Sequence, residues 1–193
     1  MLGSDTTMLR PLCTLTVTLA VATIARLTPL ASATILTPAL VLLQAGTSVL
    51  NYYFEESTDN DDSGARDARS EYLALAKSAT KGLDTTDITD STVLEEEATL
   101  VAVCVEGLTS YSPATLSSTD QDTVLDLLHR VANASVALGT VSTAAATSTI
   151  KAISNVVEAG ALSLSSNASE AAGGATSVER MSSIFTQMNE VGG

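Results

Sequence analysis

Residues 115–135, TLSSTDQDTVLDLLHRVANAS, gather side chains that acid–base chemistry uses: the chain's one histidine, His129, with Asp120, Asp122 and Asp126 and three serines. A hydrolytic site needs a base within hydrogen-bond reach of a nucleophile and a third group orienting the base. The same residues fit a second pattern. Ser118 with Gln121 three positions on makes a capping box, and Asp120 and Asp122 fall in the first turn, where negative charge complements the helix dipole. Val124, Leu125, Leu128, Val131 and Ala132 then form an apolar stripe, with His129 on its flank beside Arg130. The stretch reads as a capped helix, so no catalytic residue is assigned and the chain is expected to be non-enzymatic, with no cofactor.

Other chemistry is sparse. In the acidic run from Glu55 to Glu71, Asp59, Asp61, Ser63 and Gly64 occupy the first, third, fifth and sixth positions of a helix-loop-helix calcium loop. The twelfth position, which should be a bidentate glutamate, is Ser70, and Arg66 and Arg69 intrude. The run therefore reads first as a solvated linker of low hydrophobicity, with calcium binding as the lesser alternative. Two Asn-Ala-Ser sequons, at Asn133 and Asn167, are glycan acceptors if the chain is exported, and both fall at expected helix ends or breaks. Cys13 and Cys104 belong to no CxxC pair. They form either one long-range disulfide in an exported chain or two buried thiols.

The elements that position these residues follow from composition and periodicity. The chain has 193 residues, 45% of them hydrophobic but only 3% aromatic, and a formal charge of −13. Such acidity repels phosphate backbones and argues against nucleic-acid binding. A core of Ala, Val and Leu suits closely packed small-residue helices. Residues 1–54 are apolar and read in three ways: an export signal ending at Ala31-Ser32-Ala33, a retained hydrophobic element, or a membrane anchor through residues 11–25 or 27–50. Within them, Thr37-Pro38 is a helix start. Leu36, Leu40, Leu43, Thr47, Leu50 and Phe54 then share one face. Residues 55–66 are the acidic linker, and 67–193 a helical domain.

That domain repeats one grammar, a Ser/Thr/Asp cluster followed by an apolar-periodic run. Tyr72, Leu73, Ala76 and Ala79/Thr80 make one face; Leu94, Ala98, Val101, Cys104, Val105 and Leu108 make the next, with Glu95, Glu96 and Glu97 in its first turns. An offset of 25 relates Leu116-Ser117-Ser118 to Val141-Ser142-Thr143, and Leu125, Leu128 and Val131 to Ile150, Ile153 and Val156. The pair reads as a helix hairpin with related arms. After a Ser/Gly-rich break, a last helix from about Ser177 to Glu190 carries Val178, Met181, Ile184, Phe185 and Met188. The expected fold is all-α, helix hairpins packed as a bundle or stack.

From about Leu94 to Ser166, the LSSTDQ cap before VLDLLHRV and the VS cap before the paired helix resemble helical regions of polycystin-like and receptor-for-egg-jelly cell-surface proteins of the green-algal type. The family's His-Leu-Ser/Thr cleavage tripeptide is absent, since Arg130 follows His129, and self-cleavage is not implied. The resemblance implies an extracellular or cell-surface, structural or assembly role with protein partners, in a polycystin-associated, mastigoneme-like assembly on a cilium. A membrane-anchored accessory subunit of a polycystin-type channel is the alternative it also implies. An acidic cation-binding protein is the alternative that composition adds.

Overall fold

The computed structural model describes residues 45–47, 63–80, 83, 91–166 and 171–192. The described part is all-α: five α-helices and one 3-10 helix, packed against each other. In chain order these are α1 (Ser63–Ala79), α2 (Ser91–Ser110), the 3-10 turn Pro113–Thr115, α3 (Ser118–Leu138), α4 (Thr143–Ser166) and α5 (Ala171–Gly192).

The stretch that holds His129 becomes α3, which packs on all four of the other helices. Its length reflects its two ends. At the start, the Ser117 hydroxyl accepts from the Asp120 backbone N–H at 3.1 Å while the Asp120 carboxylate accepts from the Ser117 N–H at 3.3 Å. The box thus stands one residue earlier than Ser118/Gln121, and Gln121 instead donates its side-chain amide to the Leu116 carbonyl. Asp120 suits the third position because its carboxylate both caps and lies at the positive end of the dipole. At the far end Gly139 is left-handed (φ 67°), and the N–H groups of Gly139 and Thr140 return to the carbonyls of Val136 and Ser135. This is a closure that a residue without Cβ adopts without strain. Between the ends, Val124, Leu125, Leu127, Leu128 and Val131 are all fully buried.

Side-chain ties fix how the neighbours run. Arg69, Lys77 and Thr80 on or just after α1 meet Thr115, Asp126 and Arg130 in the same chain order, so α1 runs parallel to α3. Thr99, Glu106 and Thr109 on α2 meet Ser142, Lys151 and Asn155, so α2 runs parallel to α4. Leu73 and Ala76 of α1, and Ala98, Val101, Cys104, Val105 and Leu108 of α2, complete the core as their spacing predicts.

The 25-residue repeat holds at the caps and fails in part along the faces. Ser142 accepts from the Ala145 N–H at 3.1 Å, as Ser117 does from Asp120. Ile153 and Val156 are buried like Leu128 and Val131, but Ile150 is 54% exposed where Leu125 is buried. The cause is the partner: α4 makes its broadest contact with α2 and not with α3, so a different face turns inward. That face is lined by small residues, Ala145, Ser148, Thr149, Ala152 and Ala159.

Several boundaries differ from the sequence reading. Helix α1 begins at Ser63, inside the expected 55–66 linker. Positions 63–70 of the calcium-loop pattern are therefore helical, and their backbone carbonyls go to the helix ladder instead of toward a cation. Asp59 and Asp61 lie outside the described residues. Helix α4 continues to Ser166 and α5 starts at Ala171, so both flanks of the expected break are helical, Gly173-Gly174 included. On α5, Ile184 and Met188 face the core, whereas Val178 is 61% and Phe185 44% exposed. Of residues 1–54 only 45–47 are described; they are helical, with Thr47 buried, as expected of the face that holds it. No described helix is long and apolar enough to cross a membrane.

Candidate functional site

The chemistry-bearing residues of the opening stretch meet their counterparts in an open groove between α3 and α5. It encloses about 610 Å³ and is lined by Asp126, His129 and Arg130 from α3 and Glu179, Arg180 and Ser183 from α5. Asp126, His129 and Arg130 lie within five residues on one side of α3 because positions three and four apart share a face.

Two of the charges in this groove, Asp126 and Arg180, are paired with each other. Asp126 receives Lys77 of α1 on one carboxylate oxygen and Arg180 of α5 on the other. Arg180 also meets Asp122 at 3.2 Å. Burial alone would raise the Asp126 carboxyl; the Lys77 hydrogen bond and the Arg180 charge override it and hold the group below its ordinary range. Arg130 donates to the Lys77 carbonyl at 2.9 Å and to the Thr80 hydroxyl at 3.1 Å. One carboxylate thus links three helices. A cation pair of this kind, half-exposed, contributes modestly to stability but fixes register.

His129 is half-buried at the groove wall. Its Nδ1 accepts from the Asn133 side-chain amide at 3.2 Å, one turn on, which places the ring proton of the neutral form on Nε2. The ring's hydrogen-bond partner is therefore an amide of its own helix, and neither the serines nor the aspartates of the stretch reach it.

The remaining expected site residues are scattered. Asn133 is exposed, but it stands inside α3, more than a turn before Gly139, and not at a helix end. Ser135 of the same sequon points into the core, where its hydroxyl donates to the Val131 carbonyl at 3.0 Å. Asn167 and Cys13 lie outside the described residues. Cys104 is a buried free thiol on α2. Burial pushes its thiol up, and a hydrogen bond with Thr47 offsets this in part. Glu97, expected in the first turns of α2 with Glu95 and Glu96, is turned inward and only 7% exposed; burial raises its carboxyl above the ordinary value. Among the described residues no group of three or more His, Cys, Asp or Glu side chains is placed to hold a metal ion.

Two ties escaped the sequence. Arg69 looked like an intruder in an acidic run, yet its side chain is fully buried. It donates to the Tyr111 carbonyl at 3.2 Å, the Thr115 carbonyl at 2.6 Å and the Thr115 hydroxyl at 3.0 Å. Burial lowers its pKa, and the neighbouring Asp120 carboxylate pulls it back up. The Thr99–Ser142 hydroxyl pair at 2.7 Å likewise joins α2 to the start of α4. The available signal for Arg69 was its spacing: it precedes Leu73 by four and Ala76 by seven, on the same buried face.

Comparison of the chain with protein-family models, curated proteins and solved structures finds no match.

Proposed function

We propose that the chain is a non-enzymatic helical module of a protein assembly. The observation that carries this reading is a pair of outward apolar stripes. On α4, Ile150 and Val157 are 54% and 50% exposed; on α5, Val178 and Phe185 are 61% and 44% exposed. In each helix the two residues stand seven apart, hence two turns apart on one face, the spacing by which helices engage a partner groove. Inside, Asp126 of the α3–α5 groove is paired with Lys77 of α1 and Arg180 of α5, which is how a scaffold fixes its helices. A site at a cell surface is the setting we propose, supported by the two sequons and by the likeness of residues 94–166 to helical regions of polycystin-like surface proteins.

Size fractionation of native extracts tests the reading. The unaltered chain should migrate in an assembly larger than a monomer, and Ile150→Glu with Val157→Glu should migrate as a folded monomer. If both migrate as monomers, the assembly role is wrong. A mass unchanged by glycosidase would count against the surface setting alone.

A further inference from the structure

We propose that the cleft between α1 and α2 is the docking surface for the chain's own apolar segment, residues 36–54. Both helices pack on α3, but they meet each other along only a short contact, and what we call the cleft is the space between their facing edges. Residues 45–47 already sit in it. They are helical, Gly46 and Thr47 are buried, and the turn touches both walls. On the α1 side, Gly46 lies so close to the Tyr72 ring that a methyl group there would collide with it. On the α2 side, the Thr47 hydroxyl is hydrogen-bonded to Cys104. Glycine at position 46 thus allows the close approach that brings the next residue to the Cys104 thiol.

The walls extend beyond this point of contact. Ala68, Tyr72, Leu75 and Ala79 follow one another at four- and three-residue steps along one edge of α1, and Leu75 is still 41% exposed. Leu100, Cys104 and Gly107 along α2, and Tyr111 just past its end, do the same, with Leu100 and Tyr111 only partly buried against the core. Burial of Thr47 selects the inward face of the segment, and Leu40, Leu43, Leu50 and Phe54 share that face by their spacing. As a helix, the segment's 19 residues would measure about 28 Å. The 20 residues of α2 measure about 30 Å, so the two match in length. The occupant is this chain and not a second copy, because the middle of the segment is already seated on these walls. The segment also covers Cys104, and its removal would open that thiol to solvent.

The test uses the full chain with Cys13→Ser, so that Cys104 is the one remaining thiol. Adding Thr47→Cys places two thiols where a hydroxyl–thiol hydrogen bond now stands, and a mild oxidant should join them within one chain; the same change at the exposed Ala45 should not. Peptide mapping that finds the 47–104 bond within monomers supports the proposal. Dimers joined through these positions would show a second copy in the cleft, and absence of any bond would show an empty one; either overturns it. Independently, Leu43→Glu with Leu50→Glu should speed N-ethylmaleimide labelling of Cys104 about tenfold while helical circular dichroism is retained. An unchanged rate in a folded variant would mean that the flanking turns do not dock.

Discussion

Arg69→Met is the substitution that most directly probes how the bundle is tied. Arg69 is fully buried, and its guanidinium joins α1 to both ends of the short connection between α2 and α3, through Tyr111 and Thr115. Methionine is unbranched and of comparable length, so it fills much of the same space and leaves little cavity. What it removes is donation to two carbonyls and a hydroxyl. Hydrogen bonds from a charged donor are worth about 1.5–3 kcal/mol each, and a buried acceptor left unpaired costs about 1–3 kcal/mol. Relief of the guanidinium's own desolvation opposes this by several kcal/mol. Because two of the three acceptors are backbone carbonyls that cannot turn elsewhere, the loss should win, leaving the variant about 2–4 kcal/mol less stable. Arg69→Lys, which keeps one point donor in place of a planar fork, should fall between. Urea unfolding followed by circular dichroism measures both, and hydrogen exchange should show early opening of residues 63–79 and 111–117. A methionine variant within about 0.5 kcal/mol of the parent would refute the reasoning, since that is the range of substitutions that break nothing.

Ser117→Ala should cost about 1 kcal/mol by urea unfolding, and Ser118→Ala much less, because Ser117 is the residue that caps α3. The Asp126 carboxyl sits below its ordinary pKa in the fold, so its contribution is complete above the usual carboxylate range and is lost as pH falls through the lowered value. Unfolding midpoints measured against pH should therefore drop on the acid side in the parent and drop less in Asp126→Asn.

The helices were legible wherever one face repeats at three- and four-residue spacing over several turns. The stripes expected within Leu94–Leu108 and Val124–Ala132 are buried at every position but the partly buried Leu94, because a stripe that apolar has one low-energy orientation. The existence of a cap before α3 was legible, but its register was not. Ser117 and Ser118 both carry hydroxyls, and only the geometry selects the one whose third neighbour, Asp120, can reach back. The inward face of α4 was hidden for a different reason. Ala, Ser and Thr dominate it, and the helix carries more than one apolar stripe. The choice between Leu125-like burial of Ile150 and its exposure fell to the contact with α2. The groove between α3 and α5 could not be read at all, since Asp126 and Arg180 stand 54 positions apart and no local pattern joins them.

The composition explains why polar ties recur in this fold. With few rings and many alanines, each residue removes little apolar surface from water, and small side chains slide past one another with little change in contact area. Packing of that kind favours closely spaced helices without choosing their register. The register must come from directional bonds, which a shift of one residue destroys. The bundle has them between α1 and the α2–α3 connection, among α1, α3 and α5, and between α2 and α4: Arg69 to that connection, Asp126 between Lys77 and Arg180, Thr99 with Ser142, and Asn155 donating to the buried Thr109 hydroxyl. Short hydroxyls can bridge α2 and α4 because alanines such as Ala102, Ala145 and Ala152 line the same contact. Viewed this way, the acidic and hydroxyl residues around His129 are the register device that a small-residue core requires, which is why a stretch with the composition of a reactive site forms the central helix of the bundle.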